Sequence, residues 1–289
     1  MVCIVSKDAT YGNCAGLAKA IGAKLTLSHP DKKDMYKQHP AVFGYKKLPE
    51  KMDTLIIVGA ISFDEMLTQI PAKIRRILKS TRVKIILTDS FYLNRADQLN
   101  KVYDHLGIDV YCMPQLLYLR HKPTKPYYQP FDLADYPIVK NDELTVCHTP
   151  FHRSKLKLKG SDYIKEVVSE FPVRFEMVMN KTWHETLEIR AASHITIDAI
   201  IDMGQWYNGV GKSGLEALWL GSAVITSGKA IKTDYFNDPP VLYTTVKDFR
   251  NDLSSLVYDE GLRHSQIEAQ RDWAKKYTSY EFVSKHVML

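Results

Sequence analysis

At 289 residues, with 45% hydrophobic and 25% charged side chains, the chain has a globular composition and the length of two ordinary domains rather than one small one. No apolar run reaches the ~18 residues that span a bilayer, so stable membrane insertion is not expected. The formal charge of +6 permits a polyanionic partner without requiring one.

In chain order, Met1-Val-Cys-Ile-Val-Ser6 reads as a buried strand with no secretory pattern before it, and a cytoplasmic location is expected. The loop from Ser6 to Gly16 follows that strand. Its small residues, Gly12 among them, suit either close approach to a phosphate or sugar, or an ordinary strand-to-helix turn. Thr54 to Ala60 predicts a second strand, the amphipathic stretch to about Ser80 a helix, and Val83 to Thr88 a further strand. Asp89 follows it, where a carboxylate either activates a hydroxyl or caps the next helix. Proline and aromatics then crowd Arg120 to Phe131 and Asp135 to Pro137, as in a linker or a cleft-lining loop.

The boundary is placed near residue 140, giving domains 1–140 and 141–289. The second domain repeats the alternation with strands at Leu144–His148, Val173–Val178, His194–Asp198 and Ala223–Thr226. Gly261 to Leu289 reads as helical, with Trp273, Tyr277 and Tyr280 on one face and its last part free to pack back on the first domain. Strands alternating with helices predict α/β architecture, with two doubly wound parallel sheets and ligands beyond the carboxyl ends of the strands. Cys3, Cys14, Cys112 and Cys147 form no Cys-x-x-Cys pair, which argues against a zinc knuckle or redox motif and for reduced structural thiols.

The most informative stretch runs from Gly209-Val-Gly-Lys-Ser-Gly214 through Glu216 to Ile225, a glycine turn entering a helix that stops at Gly221 before a strand. Amides at such a helix start form an anion site, to which Lys212 adds charge and Ser213 a hydroxyl. Gly211-Lys212-Ser213 is not the end of a P-loop, because Trp206 stands where that motif needs its first glycine. Glu216 lies about one helical turn on. Its carboxylate suits two ribose hydroxyls, or it merely complements the positive helix end.

The segments Val146–Arg153, Lys159–Ile164, Trp183–Leu187, Ala191–Asp198 and Gly214–Ile225, and the ending around Arg271–Tyr277, resemble the donor-binding half of retaining group 1 glycosyltransferases. That resemblance implies the GT-B fold, two Rossmann-like domains facing across a cleft. It places the diphosphate-binding basic pair on Arg153 and Lys159 and the ribose-binding glutamate on Glu216, within a donor site that also takes in Gly209, Gly211, Lys212, Ser213, Gly214 and Gly12. It departs at Asn208, where many relatives carry a glutamate that contacts the transferred sugar. Apart from the resemblance, Lys155, Lys157 and Lys159 read as a solvated strand edge or loop.

The implied activity is retaining transfer of a sugar from a nucleoside diphosphate, UDP-glucose being favoured, to a hydroxyl. The cations, not a metal, would stabilise the leaving diphosphate, and no other cofactor is required. Asp89 and Asn208 are the candidate catalytic residues. The basic balance, and Lys/Arg mixed with Tyr over Arg120–Tyr128, favour a 5-hydroxymethylpyrimidine base in DNA as acceptor, since DNA glycosyltransferases of phages are similar in size and fold. Two alternatives stand: an enzyme acting on a polysaccharide, lipid-linked glycan or protein, and a non-catalytic sugar-nucleotide or nucleic-acid binder. Oligomeric state is left open.

Overall fold

The computed structural model describes residues 1–6, 14–27, 41–43, 45–49, 51–87, 95–113, 124–131, 133–151, 156–202, 210–228 and 237–288. Its contacts divide the chain into two compact units, Met1–Phe131 with Thr278–Leu289, and Asp132–Tyr277.

The first unit is built on β1 (Val2–Ser6), α1 (Cys14–Ile21), β2 (Lys24–Leu27), β3 (Ala41–Phe43), β4 (Thr54–Val58), α2 (Ala60–Gln69), α3 (Pro71–Ser80), β5 (Arg82–Leu87), α4 (Ala96–His105), β6 (Asp109–Cys112) and β7 (Lys125–Pro126). The strands pair in parallel in the order β3-β2-β1-β4-β5-β6-β7. A parallel sheet needs both faces covered, and the two-residue period of a strand supplies two apolar faces. Cys3, Val5, Leu55, Ile57, Ile85 and Leu87 pack with Phe63, Met66, Ile74, Ile77, Leu99 and Tyr103 from α2, α3 and α4. Ile4, Ile56, Val58 and Ile86 face the other way, onto Leu17 of α1 and Val283 and Val287 near the chain end.

The helix expected from Ala60 to Ser80 is two helices. Ile70 has φ −136° between them and Pro71 opens the second, because a proline is tolerated in the first turn of a helix but not in its interior. The described part of the expected linker is likewise structured. Lys125–Pro126 adds the seventh strand, the Tyr127 N–H donates to the Cys112 carbonyl at 2.7 Å, and Tyr127 and Tyr128 are buried. An edge strand accepts a proline, since no further strand needs its missing N–H.

The second unit contains β8 (Thr145–Phe151), α5 (Leu156–Lys159), α6 (Ser161–Val168), β9 (Arg174–Met179), α7 (Trp183–Ala192), β10 (Ile195–Ile197), α8 (Lys212–Trp219), β11 (Ala223–Ser227), β12 (Leu242–Thr244), α9 (Phe249–Tyr258) and α10 (Glu260–Tyr277). Its parallel sheet has the order β12-β11-β10-β8-β9 over a core that includes Val146, Ile164, Ile195, Ile197, Ile225 and Leu253. The segment before residue 140 goes with this unit. The Lys140 ammonium reaches the carbonyls of Ser193 at 2.6 Å and Leu220 at 3.2 Å, and the Asn141 N–H donates to Ala192. A lysine there satisfies carbonyls left over at the ends of α7 and α8.

The C-terminal helical run is also two helices. α10 stays with the second unit, and α11 (Tyr280–Met288) belongs to the first. Lys84, wholly buried in β5, donates to the Val287 carbonyl at the end of α11 and to the Tyr111 hydroxyl at 3.3 Å. Burial pulls its ammonium down to about 8, while the helix end favours a positive group. All four cysteines are buried. Among the described residues, no helix is long and apolar enough to cross a membrane, and no group of three His, Cys, Asp or Glu could hold a metal ion.

Candidate functional site

In the second sheet the chain runs from β8 outward to β9 and then returns to β10 on the other side of β8. Helix connections therefore leave adjacent strands β8 and β10 in opposite directions, and ligands of doubly wound sheets bind outside the carboxyl ends at such a switch. Three of the sequence-predicted residues, Lys159, Gly211 and Ser213, meet there around a fourth that was read only as a strand end, Asp198.

Asp198 follows β10 directly and is wholly buried. Its Oδ1 accepts from the Lys159 ammonium at 2.5 Å and the Ser213 hydroxyl at 3.1 Å, and its Oδ2 accepts from the Gly211 N–H at 2.6 Å. Burial presses the Asp198 carboxyl up, but the lysine charge and these hydrogen bonds outweigh it and hold the group below its usual range. The carboxylate thus caps α8 from a different element, since Gly211 at the N-cap has no side chain to do so. A Cβ on Gly211 would lie 2.8 Å from Asp198 Oδ2, which explains the glycine by close approach.

Lys159 closes the four-residue α5 and has a side chain 13% exposed, so it is not part of a solvated loop. Gly160 follows in the left-handed conformation, φ 68°, and the Ile200 N–H donates to the Lys159 carbonyl at 3.1 Å. These contacts bind the segment after β8 to the segment after β10. His148, buried in β8, adds another link. Its Nδ1 lies 2.8 Å from the Ile197 carbonyl and its Nε2 2.8 Å from the Ser161 hydroxyl. A carbonyl can only accept, so Nδ1 carries the proton and a neutral Nε2 accepts from serine.

Burial, partly opposed by the Ile197 hydrogen bond, pulls His148 down to about 4 from an ordinary 6.5. Because the unfolded chain binds this proton first, the stability that neutral His148 confers is complete above pH 6.5 and is lost as pH falls towards 4. The loss amounts to about 3 kcal/mol for this group. Denaturant titrations over that range are expected to show His148→Asn with a flatter profile than the parent chain; parallel profiles would refute the assignment.

Glu216 occupies the second turn of α8, past the positive helix end, and is 2% exposed. Its Oε1 accepts from the Trp183 indole N–H at 2.8 Å, and its Oε2 from the Arg190 guanidinium, whose side chain is equally buried. Trp183 and Arg190 are seven residues apart on α7, two turns along one face. The start of that helix is fixed by a capping box, in which Thr182 Oγ1 accepts from the Glu185 N–H at 3.3 Å and the Thr182 N–H donates to Glu185 at 2.7 Å. Lys212 Nζ stands 3.9 Å from Glu216 Oε1 and keeps a third of its side chain exposed. Arg190 Nε has no hydrogen-bond partner among the described residues. Gly214 is buried within α8.

Gly12, Asp89, Arg153, Asn208 and Gly209 lie outside the described residues. Sequence reasoning missed Asp198 and Arg190 as parts of this cluster. An acidic residue directly after the apolar Ile195-Thr-Ile197 strand was the available signal for the first.

No family model matches the chain, and no curated protein matches it in sequence. Solved structures do match over the whole length. An α-glucosyltransferase in complex with UDP and a 13-mer DNA containing an HMU base is 13% identical with a TM-score of 0.66, covering 99% of this chain and 97% of the other. Anabaena HepE in complex with UDP and glucose is 11% identical with a TM-score of 0.71, covering 100% and 98%. Sucrose-phosphate synthase from Thermosynechococcus elongatus is 11% identical with a TM-score of 0.64, covering 99% and 97%. The two parallel α/β units are thus the fold of the GT-B glycosyltransferases.

Proposed function

We propose that this chain, having that fold, is a glycosyltransferase whose second unit holds a UDP-sugar. The observation that carries the reading is the convergence of Lys159 and the N-terminus of α8 at the switch point between β8 and β10. A diphosphate needs cations and amide donors at one place, and this strand edge offers both. Lys159, Lys212 and the first-turn amides of α8 receive the diphosphate, together with Arg153 from the segment after β8. Glu216, its carboxylate held by Trp183 and Arg190 of α7, is assigned to the ribose, and Gly209, Gly211, Ser213 and Gly214 to the turn and helix start of the donor site. Gly12 belongs to the first unit's contribution, Asn208 to recognition of the transferred sugar, and Asp89 to the acceptor hydroxyl.

In the reaction the acceptor oxygen forms a bond to the anomeric carbon while the bond from that carbon to the β-phosphate oxygen breaks. UDP leaves with the electron pair, and the acceptor proton passes to a base. The cations stabilise the charge that grows on the leaving diphosphate, and the anomeric configuration is retained.

The favoured acceptor is a 5-hydroxymethylpyrimidine in DNA. The +6 charge and the matched α-glucosyltransferase crystallised with HMU-containing DNA support it. The target base would leave the stack to reach the donor. Mass spectrometry of hydroxymethylated and unmodified DNA incubated with the chain and UDP-glucose tests this. A hexose gain confined to hydroxymethylated DNA is expected. Donor binding with no gain on DNA would move the acceptor to a glycan, lipid-linked glycan or protein, or leave a binding role.

A further inference from the structure

Asp198 lies at the centre of the site but is not itself a group that a diphosphate would recruit, because like charges repel. Its carboxylate gathers one donor from each of three places: the Lys159 ammonium at the end of α5, the Gly211 amide at the glycine turn and the Ser213 hydroxyl in the first turn of α8. These three places are brought together from positions 39, 13 and 15 residues away in sequence. A wholly buried anion is costly unless fully paired, and here the pairing groups are a cation of the proposed site and two groups at the start of the helix whose first-turn amides face phosphate in that reading.

We infer that Asp198 is the positioning residue of the diphosphate site, the anchor that sets where the Lys159 charge and the N-terminus of α8 stand before the donor arrives. This rests on the reading of the second unit as a nucleoside-diphosphate site. A lysine has three ammonium protons, so its bond to Asp198 does not exhaust its donors. Prepaying that placement removes side-chain ordering from the cost of binding.

Asparagine at this position keeps the shape but not the chemistry. It offers one acceptor oxygen to three donors and turns its own N–H2 towards one of them. Asp198→Asn is therefore expected to weaken UDP binding by about ten-fold or more, the scale of a charge-assisted hydrogen bond. Because part of the effect passes through Lys159 and the rest through Gly211 and Ser213, the same change in a Lys159→Met background is expected to cost less than it does in the parent chain, a non-additivity that unrelated loosening of the fold would not produce.

The experiment is calorimetric titration of UDP into the full chain, its two single variants and the double variant, with far-UV circular dichroism confirming that each is folded. If the parent chain binds neither UDP nor another nucleoside diphosphate, the proposed function fails, and this inference fails with it. If the parent binds and Asp198→Asn binds equally well, or the two losses simply add, only the positioning role is overturned. Should Asp198→Asn not fold, Lys159→Arg takes its place, since a planar guanidinium keeps the charge but not the point contact. It is expected to lose about ten-fold, and parent-like binding would overturn the role.

Discussion

Replacement of Glu216 by leucine is expected to cost about 3–5 kcal/mol of stability, the penalty for removing one member of a buried ion pair. The carboxylate and the Arg190 guanidinium are each nearly sealed from water, and Trp183 donates to the same carboxylate. Without Glu216 the arginine charge stays buried with its strongest partner gone, and its Nε already finds no hydrogen bond among the described residues. The double variant Glu216→Leu with Arg190→Met is expected to recover most of the loss, since well-packed apolar replacements of buried pairs are commonly neutral. Urea denaturation measures both. UDP affinity separates the two roles of Glu216: stability returns in the double variant, and binding does not if the carboxylate meets ribose. Parent-like stability of the single variant would show that the pair is not structural.

Gly160→Ala is expected to destabilise by about 2–5 kcal/mol, combining the cost of a left-handed side chain with that of forcing atoms into filled space. A Cβ there would lie 1.8 Å from the Ile200 carbonyl oxygen, a backbone atom that cannot turn away. The chain must move on one side or the other, and Lys159 is the next residue. Gly22, at φ 63° with nothing within 4 Å of a Cβ, provides the control. Gly22→Ala carries only the conformational penalty, about 1 kcal/mol. Thermal melts of the two variants therefore give the clash by difference, and UDP affinity should fall in Gly160→Ala alone. Equal melting shifts would mean that Ile200 yields easily.

The alternation of strands and helices was legible because it is local. Val2–Ser6, Thr54–Val58 and Arg82–Leu87 are short apolar runs, and helical patterns separate them. Where the reading slipped, tertiary packing decided. The run from Gly261 was read as one helical stretch whose last part could return to the first domain; its contacts show the break, with α10 in the second unit and α11 in the first. The Arg120–Tyr128 segment has the composition of a loop, yet two of its residues complete the edge of the first sheet. In the candidate site the glycine turn carried a local signal, whereas Lys159 stood out only through the resemblance, its own pattern being that of a solvated edge or loop. The pairings that define their geometry carried none, because Asp198 lies 39 residues from Lys159, and Arg190 lies 26 from Glu216. Pairs of that separation are made by strand order, which no local pattern encodes.

Hydrogen–deuterium exchange of the full chain with and without UDP tests the location of the donor most directly. UDP is expected to slow exchange in peptides covering residues 156–164 and 210–220, the segments that Asp198 holds together. Protection confined to the first unit, or no protection from UDP at saturating concentration, would contradict it.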